Sequence, residues 1–365
     1  MQAGATLVLL ARLARGRTRR PPVEPLLADE PTTPVSVLVA TLNEGHRIAP
    51  LLTGVSAQRA PVREILVIDS NSTDGTRGLV EAAAAQDPRI RLLTDPPLPR
   101  GWIGKAWALQ FGAQQAAGPW LLGLDADTAP RPGLAAAVVA AAEREGYDAV
   151  SFSPRFADQT ALERWIQPAI LATLVYRFGP AGDDTPPDRV MANGQCFLIK
   201  RDVLLQHGGY ETVKASFAED VSMARHLARR GARVGFLDGS RLYDVRSYES
   251  AGQMWREWGR SVDLKDATTP ARQAADVAFL VLAQGLPVPL LLAAAAGVAM
   301  ATPVLAVNGT LLALRLLVTV ALAGSYAARG LPFWMSAAAD PIAVVRVLMS
   351  SLRRPKQWRT RAYES

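Results

Sequence analysis

The sequence predicts an α/β fold in which helices cover both faces of a mostly parallel sheet. Strand-like and helix-like segments alternate from residue 35 onwards, which is typical of parallel strands joined by helical crossovers. The strand segments are apolar along their whole length, and this indicates strands that are buried on both faces. Several of them end in acidic or amide residues, at the edge where open α/β sheets bind ligands.

The first predicted elements follow one another at short intervals. Strands are predicted at 35–40, 64–69, 89–93 and 121–124. A helix follows the first strand, because apolar residues recur at helical spacing at Ile48, Leu51, Leu52 and Val55. Further helices are predicted at 76–85 and 221–230.

Acidic and amide side chains follow these strands. Asp125 and Asp127 come directly after the fourth strand, Asn43 and Glu44 follow the first, and Asp69 ends the second. Mg²⁺ and Mn²⁺ prefer oxygen ligands and usually share them with substrate phosphates. The pattern therefore predicts a metal–phosphate site at the carboxyl edge of the sheet, with a solvated turn as the alternative for the Asp-x-Asp tripeptide alone.

The chain is predicted to have five parts. Residues 1–33 are an apolar and basic leader with a proline-rich linker, and 34–250 are the catalytic α/β domain. An amphipathic interface helix is predicted at 251–275, a membrane region at 276–352 and a basic tail at 353–365.

The membrane prediction depends on a long uncharged stretch. Residues 277–314 contain no charged side chain, which is too long for one membrane-spanning helix of about 20 residues. Asn308-Gly309 is a turn signal, so two spans are predicted, at about 277–298 and 309–328, followed by an interfacial helix at 332–352. A buried soluble hairpin is the alternative. The basic tail predicts a multi-pass protein of the cell (inner) membrane, with the tail and the catalytic domain on the cytoplasmic side.

Composition excludes several classes of function. The net charge is +7 and the pI about 9.8, but there is no zinc-finger spacing and no alternation of basic and aromatic residues, so no nucleic-acid partner is expected. A single cysteine, Cys196, excludes an internal disulfide and is predicted to be a buried hydrophobic residue.

Four segments resemble the family 2 glycosyltransferases, which have the GT-A nucleotide-diphospho-sugar transferase fold. They are Val-Leu-Val-Ala-Thr-Leu-Asn-Glu at 37–44, Val-Ile-Asp-Ser-Asn-Ser-Thr-Asp-Gly-Thr at 67–76, Leu-Asp-Ala-Asp-Thr at 124–128 and Ala-Glu-Asp-Val at 218–221. The segments at 98–107, 246–248, 255–261 and 358–363 are similar to membrane-bound enzymes that glycosylate carotenoids and to hopanoid-associated relatives.

The resemblance implies a role for each motif residue. Asp69, with Thr41, Asn43 and Glu44, is expected to bind the base and ribose of the donor, although a turn aspartate is the alternative for Asp69. Further donor contacts are expected from Lys105, Asp125, Gln195, Arg256 and Arg260. A solvated lysine is the alternative for Lys105, and a structural amide for Gln195.

The resemblance also implies the chemistry. Asp127, assisted by Asp125, is expected to hold Mg²⁺ or Mn²⁺ and so neutralise the departing diphosphate. Asp220 is expected to be the catalytic base, with Glu219 as the alternate, although acidic residues favour a first helical turn in any case. Trp102, Trp255 and Trp258 are assigned to the acceptor or the membrane interface, and core packing is the alternative for Trp102.

The predicted function is an inverting, metal-dependent transfer of one sugar from a nucleotide-diphosphate sugar, expected to be a UDP-sugar, to a membrane lipid. A carotenoid is the favoured acceptor, and a polyprenyl phosphate, a hopanoid or another lipid is the alternative. Two other classes stay open: a non-catalytic membrane scaffold that retains the fold, and a nucleotidyltransferase that makes the activated sugar.

Overall fold

Seven strands form the central sheet in a computed structural model of the protein. The structure describes the chain except residues 28–32, 183, 247, 249, 251, 256, 258–263, 353–356, 359–360 and 363–365. The strands of the described chain, including those of two smaller sheets (β5-β10-β7 and β11-β12), are β1 (Val35–Thr41), β2 (Val62–Asp69), β3 (Ile90–Thr94), β4 (Trp120–Leu124), β5 (Thr128–Pro130), β6 (Ala149–Ser153), β7 (Arg155–Phe156), β8 (Cys196–Lys200), β9 (Val234–Asp238), β10 (Tyr243–Val245), β11 (Gln357–Trp358) and β12 (Arg361–Ala362).

Helices lie before, between and after these strands along the chain. They are α1 (Gln2–Ala14), α2 (Ala49–Ser56), α3 (Thr76–Ala84), α4 (Gly104–Gln115), α5 (Leu134–Glu145), α6 (Ala161–Phe178), α7 (Arg201–Gln206), α8 (Glu219–Arg229), α9 (Pro270–Leu280), α10 (Pro287–Ala295), α11 (Thr302–Leu322), α12 (Gly330–Trp334) and α13 (Asp340–Leu352). A π-helical turn at Val281–Gly285 lies between α9 and α10.

The central sheet has the order β3-β2-β1-β4-β8-β6-β9. Every neighbouring pair in it is parallel except the two that include β8, which runs antiparallel to β4 and β6. The register places Thr41 beside Asp69, and Leu38 beside Gly123. The carboxyl ends of β1, β2 and β4 therefore meet at one edge, as the sequence predicts.

Both faces of the sheet are covered by helices. Successive side chains of a strand point to opposite faces, so one strand contributes to a core on each side. In β2, Ile65 and Val67 join a core that includes residues of α2 and α5, whereas Leu66 and Ile68 join a core that includes residues of α4 and α8. All four side chains are fully buried. Cys196 is also fully buried, in the first of these cores, which confirms that it packs as a hydrophobic residue.

The chain divides into two compact units. The sheet unit contains residues 20–155, 184–246 and 356–365, and the helical unit contains residues 1–19, 156–183 and 247–355. This division differs from the predicted domains, because α6 lies within the expected catalytic domain. Its residues Ile166, Ala169, Ile170 and Tyr176 pack in one core with residues of α1, α11 and α13, and this burial assigns the helix to the helical unit.

The helical unit contains two helices that are long and apolar enough to span a membrane, Pro270–Ala295 and Thr302–Ser325. Two such helices agree in number with the prediction, but the predicted turn at Asn308-Gly309 between them is wrong. Asn308 lies inside α11, where its side chain donates to the Val304 carbonyl (2.8 Å) and forms a reciprocal amide pair with Gln2. The chain turns before Thr302 instead, at a stretch where Gly297 has a φ of 94° that favours glycine.

Candidate active site

A lysine ammonium joins the end of β4 to the start of α8. Lys105, the second residue of α4, places its Nζ 2.8 Å from Oδ1 of Asp125 and 2.7 Å from Oε1 of Glu219. Its side chain is only 16% exposed. Burial lowers the pKa of Lys105, but the charges of Asp125, Glu219 and Asp220 outweigh this effect and hold the pKa well above its ordinary value. The ammonium is therefore a permanent cation of the site.

The second carboxylate of the acidic pair is fixed by backbone groups. The Gly194 N–H donates to Oδ2 of Asp220 (2.7 Å), and the Val221 N–H donates to Oδ1 (2.8 Å). Burial, and then the charge of Glu219, raise the pKa of Asp220 to about 7, although Lys105 opposes this shift. A carboxylate with a pKa near neutrality is suited to accept and release a proton.

The second aspartate of the Asp-x-Asp motif lies near an arginine. Nη1 of Arg47 is 3.8 Å from Oδ2 of Asp127, and its Nε donates to Oε2 of Glu44 at 2.5 Å. Glu44 is almost fully buried, and Arg47 is 11% exposed. Each aspartate of the motif therefore faces a cation of the protein itself, with Lys105 beside Asp125 and Arg47 beside Asp127.

Several predicted donor residues tie two loops together in this structure. Asp69 is fully buried and accepts hydrogen bonds from the Thr41 hydroxyl (3.2 Å), the Ser72 N–H (3.0 Å) and the Arg77 guanidinium (3.0 Å). The side-chain oxygen Oδ1 of Asn43 accepts a hydrogen bond from the N–H of Thr73 at 2.9 Å. These contacts fix the loops after β1 and β2 against each other, so both residues help to shape the edge of the sheet.

Two other predicted contact residues, Gln195 and Trp102, make contacts within the protein. Oε1 of Gln195 accepts a hydrogen bond from the Asn193 side chain (2.9 Å), and the Gln195 carbonyl accepts the N–H of Asp125 (3.4 Å). Trp102 is 8% exposed and packs edge-on against Trp107, with ring centroids 5.1 Å apart. Both arrangements correspond to the structural alternatives that the sequence left open.

The remaining predicted residues belong to other parts of the chain. Trp255 lies in the helical unit, where its carbonyl accepts a hydrogen bond from Nε of Arg346 at 2.8 Å. Arg256, Trp258 and Arg260 lie outside the described residues.

Little free space remains between the charged groups. A cavity of about 10 Å³ is lined by Lys105, Asp125, Gly194, Tyr210, Glu219 and Asp220, among others. That volume accommodates about one water molecule.

The donor set fits a divalent cation that is completed by substrate. Within the described part of the chain, no three histidine, cysteine or carboxylate side chains are grouped so that they could hold a metal by themselves. Asp125 nevertheless already binds a cation, the Lys105 ammonium, directly through Oδ1. Mg²⁺ and Mn²⁺ commonly take one or two carboxylates and complete their shell with phosphate oxygens and water. Asp125 and Asp127 match that requirement.

Two residues of the site were missed at the sequence level. Arg47 follows Glu44 by three residues, a spacing that brings side chains together in a helical turn and was a usable signal. Gly194 had no such signal. An added Cβ there would lie 2.8 Å from Nζ of Lys105 and 3.3 Å from Oε1 of Glu219, so a side chain at this position would displace the ammonium from where the structure places it.

The comparisons with known proteins point to one family. Residues 36–208 match the family described as Glycosyl transferase family 2. The lipopolysaccharide core biosynthesis glycosyltransferase LpsC of Rhizobium meliloti is 34% identical over 97 residues, which cover 27% of this chain and 33% of the relative. The 4,4'-diaponeurosporenoate glycosyltransferase of Staphylococcus haemolyticus is 23% identical over 223 residues, which cover 60% of this chain and 58% of the relative. The chain thus spans less than two thirds of the length of these curated relatives.

A solved structure shares the fold over almost the whole chain. The mannosyltransferase PcManGT from Pyrobaculum calidifontis, in complex with GDP-Man and Mn²⁺, aligns with a TM-score of 0.57 at 21% identity, covering 96% of this chain and 95% of its own. The predicted GT-A fold is thereby confirmed. Residues 36–208 therefore match the Glycosyl transferase family 2 domain, in a chain that has the GT-A fold.

Proposed function

We propose that this protein is a membrane-attached, metal-dependent, inverting glycosyltransferase that moves one sugar from a nucleotide-diphosphate sugar to a membrane lipid. One observation carries the proposal: Asp125 from one segment, and Glu219 and Asp220 from another, meet around the ammonium of Lys105 at the carboxyl edge of the sheet. A carboxylate for a metal, a cation for phosphate and a carboxylate with a raised pKa are the groups that this transfer needs.

The proposed roles follow from these contacts. Asp220, held by two backbone N–H groups, takes the proton of the acceptor hydroxyl as that oxygen attacks the anomeric carbon. Lys105 balances negative charge on the diphosphate. When bound at Asp125 and Asp127, Mg²⁺ or Mn²⁺ supplies further charge neutralisation for the leaving group. One direct displacement inverts the anomeric configuration, and no nucleophile on the enzyme is required.

The surface of the helical unit supports attachment to a membrane. Large apolar side chains are exposed along α1, α11 and α13, among them Leu7, Leu317, Val320, Val345 and Leu352. Among the described residues of the sheet unit, the only large apolar side chains with comparable exposure are Leu26, Leu27, Leu79 and Leu205. An apolar surface of this extent marks a membrane or protein interface. With two crossings by Pro270–Ala295 and Thr302–Ser325, the basic tail and the sheet unit lie on the cytoplasmic side.

A carotenoid is the proposed acceptor. The support is the likeness to the diaponeurosporenoate glycosyltransferase, together with the Gly-Trp-Ile-Gly-Lys segment that precedes the site. A long apolar acceptor that stays in the bilayer is consistent with a membrane-attached enzyme, since it need not enter water. The donor is proposed to be a UDP-sugar.

Mass spectrometry of lipid extracts tests the function. The full chain is expressed in a host that makes carotenoids, beside Asp127→Ala and, as a control, Asp188→Ala, whose carboxylate pairs with Arg229 away from the site. A hexose-shifted carotenoid that is lost only in Asp127→Ala supports the proposal. A glycosylated hopanoid or polyprenyl phosphate instead would retain the chemistry and refute the acceptor.

A second measurement separates the base from the donor site. Asp220→Asn should bind donor with near-normal affinity and lose turnover, and near-normal turnover would refute the assignment of the base. Release of a nucleoside diphosphate distinguishes glycosyl transfer from nucleotidyl transfer, which releases pyrophosphate. Donor binding with no glycosylated lipid of any kind would favour the scaffold.

A further inference from the structure

The ammonium of Lys105 lies where three carboxylates from two distant parts of the chain approach one another. It contacts Asp125, from the end of β4, and Glu219, from the start of α8, at 2.8 and 2.7 Å. The charge of Asp220 also acts on it. Three acidic groups this close together repel one another unless a cation lies between them. Lys105 supplies that cation in the arrangement that the structure has.

The fold is built to keep the ammonium in this position. The Lys105 side chain is 16% exposed, and the carboxylate of Glu219 that it contacts is 8% exposed. Gly194 contributes no side chain at the point where a Cβ would lie 2.8 Å from Nζ. The lysine is therefore an enclosed part of the site and not a solvated surface residue.

This contact has a consequence for metal binding. Oδ1 of Asp125 is the atom that Lys105 binds, and Asp125 is one of the two carboxylates proposed to hold the metal. A divalent cation and an ammonium that approach the same carboxylate repel each other, and the repulsion is strong where little water screens it. Binding of a metal at Asp125 therefore competes with the lysine unless another anion takes the ammonium.

We propose that Lys105 is a positioning residue that acts as the resident counter-ion of Asp125, and that it weakens metal binding until the diphosphate of the donor offers the ammonium another partner. The inference rests on the proposed function, because it assigns the metal to Asp125. It predicts that metal and donor bind cooperatively, since each removes a penalty from the binding of the other.

The test is the affinity of the full chain for Mn²⁺ without nucleotide, measured in detergent by electron paramagnetic resonance of the free ion. Lys105→Met should bind Mn²⁺ at least about tenfold more tightly than the wild type, equivalent to about 1.4 kcal/mol. Lys105→Arg keeps the positive charge and should bind as weakly as the wild type. Lys200→Met is the matched control, because Lys200 pairs with Asp148 at 2.9 Å outside the site.

The outcomes are separable from the test of the function. Unchanged or weaker Mn²⁺ binding by Lys105→Met refutes the counter-ion role even if the wild type transfers sugar. Tighter binding supports the role whether or not a glycosylated lipid is found, and the transferase assignment is then decided by the lipid assay alone. If Lys105→Met does not fold, Lys105→Gln replaces it, since its amide still donates hydrogen bonds between the carboxylates while the charge is removed.

Discussion

Replacing Gly194 by alanine tests the geometry of the site with one methyl group. The added Cβ would lie 2.8 Å from Nζ of Lys105, whereas ordinary contacts begin at 3.4 Å. The ammonium, at the end of a flexible side chain, must therefore move by roughly 0.6 Å, the difference between these two distances. Directed along the hydrogen bonds, a shift of that size lengthens the 2.7 and 2.8 Å distances to about 3.3–3.4 Å, beyond the normal range, which ends at about 3.2 Å.

The expected cost follows from these contacts. Loss of one charge-assisted hydrogen bond costs about 1.5–3 kcal/mol. Alanine also lowers the conformational entropy of the unfolded chain, and this stabilises the folded state by about 0.4–1 kcal/mol, which offsets part of the loss. The net loss is about 0.5–2.5 kcal/mol, and each kcal/mol lowers Tm by about 2–4 °C for a unit of this size.

Thermal unfolding of the full chain in detergent, together with Mn²⁺ affinity, is the assay. The displaced ammonium should leave Asp125 more open, so Gly194→Ala should also bind Mn²⁺ more tightly than the wild type. Gly309→Ala is the control, because Gly309 lies in α11, outside the site, and an added Cβ there would meet nothing within 4 Å. An unchanged Tm and an unchanged Mn²⁺ affinity in Gly194→Ala would refute the reasoning.

Three further predictions concern proton transfer, internal packing and the membrane. Turnover should rise with pH through about 7 and level off above it, because burial and then a neighbouring carboxylate raise the pKa of Asp220 and only its ionised form accepts a proton; a pH–rate profile that is flat between pH 5 and 9 would contradict this. Arg315→Met should lower the free energy of unfolding by about 3–5 kcal/mol, because it leaves the 2%-exposed Asp340 without its guanidinium partner at 2.8 Å. The double variant with Asp340→Leu should recover most of that loss in the same thermal scan, and a loss as large as in the single variant would exclude an ion-pair origin. Leu317→Asp should reduce membrane insertion, at a cost of about 2.5–3.5 kcal/mol, whereas Leu205→Asp in the sheet unit should leave the membrane fraction unchanged on carbonate extraction.

The fold, and the meeting of the candidate site residues at one edge of the sheet, could be predicted from the sequence, because both depend on local patterns. The apolar composition of strands such as β2 is enough to predict that they are buried. Asp69 ends β2 and Asp125 follows β4, and the parallel pairing of both strands with β1 brings their ends together. The acidic pair at the start of α8 was recognised as a motif in the same way.

Local signals failed where distant segments decided the structure. Asn308-Gly309 favours a turn by itself, but the pairing of Asn308 with Gln2 from α1 satisfies its amide inside a helix. The assignment of α6 to the helical unit depends likewise on a core that it shares with α1, α11 and α13.

The sequence by itself determined which residue types reach the edge of the sheet: carboxylates after β1, β2 and β4, a lysine at the start of α4 and an acidic pair at the start of α8. Only the tertiary structure decided their partners. It placed Lys105 between Asp125 and Glu219, and it made Gly194 the position that leaves room for the ammonium. The physical reason is that a charge is stabilised by groups within a few ångströms of it, and those neighbours come from segments whose separation along the chain carries no local pattern.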